Sequence, residues 1–428
     1  MHTKCQFKQS LALFGGEKAV SITGPHEIWP PKATQAELDE LLVQRQKDIS
    51  IKGRTGIIQE FEDMFLNFLE NRRKFAVTFN SGTTALFAAY FALGVKEDDE
   101  VIGPALTFHA ALSPSYMLKA NVVLVDVDKD TKCIDVNKIQ EVITKKTKVL
   151  TVVHQWGHPA NMDKVMAIAK KHNLKVIEDC SHAHGSKFKG IPVGTFGDIA
   201  VFSLQAAKMI YAGEGGILVT NSQKIHDLVT ALGHYRDRTK EEVKDPDVQK
   251  YWVTGFGQKY RMSPLNAVIA KHSLLNYPER MKQRHAALNY LTQRLKEISY
   301  IEVPKIASYA DMGAWYGFKP LFKGEKIFKI QCEQVLKALQ AEGVEIALAS
   351  APILSSQPLF NSCESPLYPK KNHPGRLPAQ RNTLPVAEYL SKFQLSLPTF
   401  NNWPADKAII DQYIVAFQKV QNYAQEIR

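Results

Sequence analysis

Residues 202–208 read Phe-Ser-Leu-Gln-Ala-Ala-Lys, and residues 213–216 read Gly-Glu-Gly-Gly. One lysine, Lys208, therefore stands beside a glycine-rich turn. A lysine amine condenses with an aldehyde to form an imine, and a desolvating pocket lowers the pKa of the amine enough for that reaction. The stretch indicates either a covalent anchor for the aldehyde of pyridoxal phosphate (PLP) or an ordinary lysine before a turn, and the neighbouring sequence has to decide.

Short apolar segments typical of buried strands alternate with helical patterns on both sides of this stretch. The predicted strands are residues 75–79, 101–102, 122–125, 149–153, 175–177, 199–203 and 216–220. Helices are predicted at 84–93 and 162–172. Such alternation predicts an α/β fold in which a mostly parallel sheet lies between layers of helices.

The length of 428 residues exceeds the usual size of a single core and predicts two domains. A helical pattern at 263–298, interrupted near Pro278, connects them. The predicted units are an irregular N-terminal arm (1–33), a large cofactor-binding domain (34–275) and a smaller C-terminal α/β domain (276–428).

The formal charge of +11 and the isoelectric point near 9.2 raise the question of nucleic-acid binding. The lysines are scattered in short clusters without interleaved aromatic residues, namely Lys145-Lys146, Lys170-Lys171 and Lys370-Lys371. This distribution predicts a solvated surface and no nucleic-acid partner, while the net charge helps to attract an anionic substrate. The mixed charges of 234–250 predict a surface loop, and the prolines of 366–378 an extended loop.

The cysteines are odd in number and widely spaced, and they contain no CxxC pair: Cys5, Cys133, Cys180, Cys332 and Cys363. This pattern predicts reduced thiols and a cytoplasmic location. The first residues carry no apolar stretch followed by a small-residue cleavage site, so no secretory signal is predicted. Apolar runs such as 85–93 are too short to cross a bilayer, and no membrane partner is expected.

The stretch Asn80-Ser81-Gly82-Thr83-Thr84 stands where a predicted strand gives way to a helix. Free amides at a helix N-terminus favour a phosphate, and the hydroxyl groups add donors. Capping of the helix by Ser81 or Thr83 explains the same residues equally well. The segment is neither a Walker motif nor a GxGxxG dinucleotide motif.

The stretch Glu178-Asp179-Cys180-Ser181-His182 directly follows the predicted strand 175–177. A carboxylate at the carboxyl end of a parallel strand faces the crevice where α/β proteins bind ligands. Asp179 could hold a pyridine nitrogen protonated, which makes the ring of PLP a better electron sink. The alternatives are a helix cap for Asp179 and a buried, hydrogen-bonded histidine for His182. No compact set of three or four metal ligands accompanies them, so no metal is predicted.

Two further residues have weaker signals of their own. Phe108 follows another strand end and could cover one face of an aromatic ring, or pack in the core. Ser203 precedes Lys208 by five residues and could contact a phosphate.

Taken in order, the motifs SGTTAL, TFHA, IEDCSHAHG, FSLQAAK and GEGG resemble those of the DegT/DnrJ/EryC1/StrS family of PLP-dependent sugar aminotransferases. The resemblance extends from the opening Leu-Ala-Leu-Phe-Gly-Gly at 11–16 to Leu-Ser-Leu-Pro at 395–398. It implies the aspartate-aminotransferase fold (fold type I), with a mostly parallel seven-stranded sheet and a smaller C-terminal domain. It also implies a homodimer with active sites at the subunit interface.

The resemblance assigns a role to each candidate residue in this sequence. Lys208 matches the lysine that binds PLP covalently, and Asp179 the partner of the pyridine nitrogen. His182 matches the residue near the phenolic oxygen of PLP, and Phe108 the aromatic residue stacked on the ring. The phosphate cradle is matched by Gly82, Thr83, Thr84 and Ser203.

One position departs from the family pattern. Many relatives read G-x-N-Y-R-M, where the asparagine reaches a phosphate in the neighbouring subunit, whereas residues 257–262 here read Gly-Gln-Lys-Tyr-Arg-Met. Lys259 stands at the asparagine position. An ammonium group can serve a phosphate as a point charge, so Lys259 is carried over as a cofactor-binding residue.

The activity that the resemblance implies is transfer of an amino group from L-glutamate or L-glutamine to a keto sugar, with nucleotide-linked acceptors the commonest. Kinetics would be ping-pong, with Lys208 as the proton shuttle. The alternative acceptor is a keto cyclitol of the scyllo-inosose type, since 11–16 and Trp315-Tyr316-Gly317-Phe318 look similar to cyclitol aminotransferases. A sugar dehydratase is disfavoured because Lys208 is present. A non-catalytic binding or regulatory protein of the same fold is disfavoured by the complete set of Lys208, Asp179 and Ser203.

Overall fold

The computed structural model describes residues 10–22, 29–313, 315–349, 352–361 and 382–427. Its strands are β1 (Phe75–Phe79), β2 (Glu100–Pro104), β3 (Asn121–Val125), β4 (Thr147–Val153), β5 (Lys175–Asp179), β6 (Lys187–Phe188), β7 (Ile191–Pro192), β8 (Ile199–Ser203), β9 (Gly216–Thr220), β10 (Ile301–Glu302), β11 (Ala310–Asp311), β12 (Leu321–Phe322), β13 (Ala347–Leu348) and β14 (Leu395–Ser396). The predicted strands of the large domain are all present. The loop predicted at 366–378 lies outside the described residues.

The helices surround these strands and include both predicted large-domain helices. They are α1 (Gln35–Gln46), α2 (Gly56–Phe68), α3 (Gly82–Ala92), α4 (Met162–His172), α5 (Gln223–Gly233), α6 (Asp237–Glu242), α7 (Pro246–Gln249), α8 (Pro264–Leu275), α9 (Tyr277–Leu295), α10 (Gly324–Phe328), α11 (Cys332–Ala341), α12 (Pro358–Asn361), α13 (Pro385–Phe393) and α14 (Lys407–Asn422).

The central sheet has seven strands in the order β1-β9-β8-β5-β4-β2-β3. Strand β9 runs antiparallel to β8 and β1, and the pairs β8-β5, β5-β4, β4-β2 and β2-β3 are parallel. Asp179, the last residue of β5, lies opposite Val153 of β4 and Val201 of β8. The predicted mostly parallel seven-stranded sheet is therefore confirmed, and Asp179 lies at its carboxyl edge.

Helices cover both faces of this sheet. Successive strand residues point to opposite faces, so Val152 belongs to one apolar cluster and Val153 to the other. The first cluster includes Phe61 and Phe65 of α2, and the second includes Ala85 of α3. This three-layer packing explains why the strands read as nearly continuous apolar runs.

A separate apolar core lies in the C-terminal part of the chain. It contains Leu288 of α9, Leu339 of α11 and Phe417 of α14, together with Leu11 and Val20 from the predicted arm. The Glu342 carboxylate fixes the arm by accepting hydrogen bonds from the amides of Ala12 (2.7 Å) and Ala19 (3.0 Å). Part of the C-terminal region packs instead on the large sheet, as Leu354, Phe360, Leu384, Ala387 and Leu390 do. The boundary at 275/276 stays a prediction.

The prediction of a surface loop at 234–250 is wrong. This segment contains α6 and α7, and Arg238 of α6 is fully buried. Its guanidinium donates to both carboxylate oxygens of Glu62, at 2.8 and 2.9 Å. Charged residues are buried when they are paired, and the sequence pattern does not reveal a partner so distant along the chain.

Within the described ranges, no helix combines the length and the apolar character needed to cross a membrane.

Candidate active site

A cavity of about 820 Å³ opens at the carboxyl edge of the parallel strands. It is lined by most of the residues that the sequence singled out, namely Gly82, Thr83, Phe108, Asp179, His182, Ser203 and Lys208. The fold thus brings together side chains that are far apart along the chain, as expected for the crevice of a parallel sheet.

Lys208 follows β8 in a loop that folds back towards β9. The loop is held by backbone hydrogen bonds from Leu204 to Gly215 (2.9 Å) and from Ala206 to Gly213 (2.8 Å). Gly213 has φ +80°, a left-handed conformation that favours glycine. Burial lowers the pKa of Lys208 to about 8, and the charge of Asp179 opposes this shift. The amine is therefore much closer to its nucleophilic, neutral form at physiological pH than an exposed lysine.

Asp179 is buried at the end of β5. Its carboxylate accepts a hydrogen bond from the Ser181 amide at 3.0 Å, and no helix begins there, so the helix-cap alternative does not apply. Burial raises the pKa of Asp179, and the hydrogen bonds from Ser181 and the charge of Lys208 oppose that rise. A carboxylate in this setting would be stabilised by a further cationic group, and a protonated pyridine nitrogen is one such group.

His182 lies in a stack of aromatic rings. Its ring centre is 4.1 Å from that of Tyr316 and 5.2 Å from that of Trp156, and both pairs are nearly parallel. Burial lowers the pKa of His182 well below its usual value, so the imidazole is neutral. Its Nδ1 atom is buried and has no hydrogen-bond partner among the described residues. An unsatisfied buried nitrogen indicates that a ligand completes the site.

Helix α3 begins at the same cavity. Ser81 caps the helix by accepting a hydrogen bond from the Thr84 amide at 3.1 Å, as the capping alternative predicted. The amides of Gly82 and Thr83 stand in the first turn, where no intrahelical acceptor exists, and they suit an anion. A Cβ atom on Gly82 would lie 2.9 Å from the Ser203 Cβ, so only glycine allows this close approach. The helix end is thus both capped and open to a phosphate.

Phe108 is 61% exposed and borders the cavity, so it does not pack in the core. Thr84 and Lys259 are absent from the described lining of the cavity. The Thr84 hydroxyl instead donates to Asn80 Oδ1 at 2.7 Å, and Lys259 is exposed in the loop before α8. Their roles as phosphate ligands stay predictions.

Sequence reasoning missed two aromatic residues of the site. Trp156 follows β4. The rule that residues at the carboxyl ends of parallel strands face the ligand crevice, which indicated Asp179 at the end of β5, could also have identified Trp156. Tyr316 comes from the C-terminal part of the chain, and its ring centre is 4.2 Å from Lys208 Nζ. The motif at 315–318 is noted in the sequence only for its similarity to cyclitol aminotransferases, and no local pattern indicates a contact between Tyr316 and Lys208.

A group of possible metal ligands lies behind the site, namely His154, Glu178 and Cys180, whose donor atoms are within 4.8 Å of one another. The Glu178 carboxylate already accepts hydrogen bonds from the amides of Gly194 (2.8 Å), Phe196 (2.8 Å) and Gly197 (2.7 Å). Its Oε2 also lies 3.2 Å from His154 Nε2. These hydrogen bonds engage the Glu178 carboxylate, which thereby holds the loop before β8 in place.

The donor set fits PLP. It offers a buried amine with a lowered pKa, a buried carboxylate and an imidazole nitrogen without a hydrogen-bond partner. It also offers a helix N-terminus whose first residue, Gly82, lies so close to Ser203 that only glycine fits there. Together with the sheet topology, these features define a PLP enzyme of the aspartate-aminotransferase type, fold type I.

The chain belongs to the DegT/DnrJ/EryC1/StrS aminotransferase family, whose model matches residues 32–411. It is 41% identical over 221 residues to the GDP-perosamine synthase of Escherichia coli O157:H7, a match that covers 52% of this chain and 57% of that protein. It is 30% identical over 429 residues to the L-glutamine:scyllo-inosose aminotransferase of Streptomyces griseus, covering 98% and 99%. The crystal structure of an aminotransferase from Psychrobacter cryohalolentis superimposes with a TM-score of 0.79 at 28% identity, covering 93% of this chain and 99% of that one. The predicted family, fold and aminotransferase class are confirmed.

Proposed function

We propose that this protein transfers an amino group from L-glutamate or L-glutamine to a keto sugar, with PLP bound in the Lys208 cavity. The observation that carries the proposal is that a buried amine, whose pKa burial lowers to about 8, lines the same cavity as the buried carboxylate of Asp179 and is influenced by its charge. Both groups border one cavity at the end of the parallel strands. Strongly shifted ionisable groups in a cleft are typical of catalytic sites.

Six residues of the cavity have proposed roles in this reaction. Bound PLP supplies an electron-withdrawing ring that stabilises a carbanion next to the nitrogen of the substrate. Asp179 would keep the ring nitrogen protonated, and His182, whose buried Nδ1 has no partner among the described residues, would face the phenolic oxygen. The amides of Gly82 and Thr83 and the Ser203 hydroxyl would hold the phosphate. Lys208 Nζ removes the α-proton of the donor in one half-reaction and delivers a proton to the acceptor carbon in the other.

The acceptor is proposed to be a nucleotide-linked keto sugar. The similarity to a GDP-perosamine synthase supports a sugar acceptor. The net charge of +11 suits an anionic substrate. A keto cyclitol is the second candidate, favoured by the nearly full-length match to a scyllo-inosose aminotransferase.

The working form is proposed to be a homodimer in which each subunit completes the site of the other. Exposed apolar side chains support an interface, among them Leu42, Phe108 and Met117, with exposed fractions of 65%, 61% and 60%. Lys259 is exposed and free to serve a neighbouring subunit. The cytoplasmic location predicted from the cysteines is part of the same proposal, and Cys133, Cys180 and Cys332 are free thiols.

The absorption spectrum of the purified protein tests this function. A yellow PLP band that fades on addition of L-glutamate or L-glutamine would establish the donor half-reaction and name the donor. A nucleotide-linked keto sugar and scyllo-inosose, added in turn, should then restore the band with one acceptor class only. Absence of the band in protein supplied with PLP would contradict the assignment of the Lys208 site.

A further inference from the structure

A second cavity, of about 770 Å³, adjoins the Lys208 cavity. The two share Trp156 and Tyr316 as lining residues. The second cavity is also lined by Lys319 and Ser396 from the C-terminal part of the chain. None of the roles assigned above uses these two residues.

Lys319 is a largely buried cation that forms no ion pair within the described ranges of the chain. Its Nζ donates a hydrogen bond to Ser396 Oγ at 2.5 Å and lies 4.5 Å from the centre of the Trp156 ring. Among the residues that the structure describes, Lys319 takes part in no ion pair, and burial lowers its pKa to about 8. A buried ammonium group is costly unless an anion compensates it, which indicates that a ligand provides the missing charge.

The position of Lys319 depends on a glycine two residues before it. A Cβ atom on Gly317 would lie 2.7 Å from Lys319 Cε and 2.9 Å from Trp156 Cε3. A side chain at 317 would therefore require Lys319 or Trp156 to shift. The glycine leaves the space in which the lysine lies against the indole.

We propose that Lys319, with the Ser396 hydroxyl, binds an oxyanion of a substrate while the reacting carbon lies at Lys208. This oxyanion is a carboxylate of the amino donor or a phosphate of the nucleotide-linked acceptor, so the inference rests on the proposed function.

The aromatic stack connects the two lysines. Lys208 Nζ lies against the Tyr316 ring, the Tyr316 and Trp156 rings are stacked 6.1 Å apart, and Lys319 Nζ lies against Trp156. The distance between the two nitrogens is therefore no more than the sum of these three contacts, so both lysines border one continuous space around the aromatic stack. Arg284 and Glu345 also line the second cavity, so the ligand meets a further cation and one carboxylate.

Lys319→Met tests the proposal, because methionine keeps the length of the side chain and removes its charge. Calorimetric titration of the PLP-loaded protein would use glutarate, which carries the carboxylates of glutamate without its amine, and inorganic pyrophosphate. We expect the variant to bind one of the two probes at least about 10-fold more weakly, since it loses a hydrogen bond between two charged groups. Loss of glutarate binding assigns the donor carboxylate, and loss of pyrophosphate binding assigns the acceptor phosphate.

Three further variants separate anion binding from a structural role. Lys319→Arg should keep most of the affinity, and Gly317→Ala should lose it although no charge changes. Lys326→Met removes an exposed charge from the same region and should bind both probes normally. Lys319→Met should not lower the melting temperature, because it removes an uncompensated buried charge.

Equal affinity of the wild type and Lys319→Met for both probes, including no binding by either protein, would overturn the proposal. The response of the PLP band to L-glutamate, recorded on the same samples, keeps the two hypotheses apart. A wild type whose band does not respond contradicts the proposed function. A responsive wild type whose Lys319→Met variant binds both probes normally contradicts the oxyanion site alone.

Discussion

Lys208 Nζ lies 4.2 Å from the centre of the Tyr316 ring, and this contact joins the loop after β8 to the C-terminal part of the chain. Tyr316 follows β11 and is flanked by Trp315 and Phe318, which belong to the C-terminal core. The amine that the loop after β8 positions is therefore enclosed by a residue distant along the chain. Desolvation of that amine, which lowers its pKa, depends on both segments.

The first prediction concerns pH. Only the neutral amine attacks an aldehyde, and burial lowers the pKa of Lys208 to about 8. The rate of PLP attachment to the cofactor-free protein, followed by stopped-flow absorbance, should rise with pH, with a midpoint near 8, and level off above it. Since the charge of Asp179 raises this pKa, Asp179→Asn should move the midpoint to lower pH. Asp247→Asn, at an exposed site, is the control. A rate that still rises steeply at the ordinary lysine pKa of 10.5 would contradict the desolvated amine.

The second prediction concerns the proton shuttle. Lys208→Ala removes both the covalent anchor and the general base, and general acid–base catalysis typically contributes about 10²–10⁴-fold. We expect single-turnover transamination to slow by at least that factor. Borohydride reduction followed by mass spectrometry should find PLP attached to the wild type and to the control Lys145→Ala, which changes an exposed lysine, but not to Lys208→Ala. Near-normal turnover of Lys208→Ala would reject the assignment.

Much of the fold and part of the site could be predicted from the sequence because they depend on local patterns. Buried parallel strands produce apolar runs, and the carboxyl end of a strand marks the ligand crevice, which pointed to Asp179. The positions of Tyr316 and Lys319 beside Trp156 could not be predicted, because they depend on how the C-terminal part of the chain packs. The burial of Arg238 could not be predicted for another reason, since exposed and buried charges look alike in a sequence until the partner is known.

The third prediction follows from that buried pair. Arg238→Met leaves the Glu62 carboxylate buried, with the Thr78 amide (2.9 Å), the Thr78 hydroxyl (3.0 Å) and the partly exposed Arg54 as its remaining partners. Breaking a buried pair from one side costs about 3–5 kcal/mol, so the urea midpoint should fall clearly. Adding Glu62→Gln should recover part of the loss, because it removes a buried carboxylate charge that has lost its fully buried cationic partner.

Lys244→Met changes an exposed charge in the same segment and is the control. An unchanged midpoint for Arg238→Met would show that the pair contributes nothing to stability.

The fourth prediction separates the phosphate cradle from the rest of the site. A Cβ atom on Gly82 would lie 2.9 Å from the Ser203 Cβ and 3.1 Å from the Ser203 Cα, so Gly82→Ala must push α3 and β8 apart where the phosphate is proposed to bind. Equilibrium dialysis should show weaker retention of PLP, by at least about 10-fold if one charge-assisted hydrogen bond is lost. Gly53→Ala is the matched control, because its Cβ would meet no atom closer than 3.7 Å and φ is not left-handed. The pH midpoint of PLP attachment should stay near that of the wild type, since neither Lys208 nor Asp179 is changed. Normal retention of PLP by Gly82→Ala would mean that the phosphate lies elsewhere than at the N-terminus of α3.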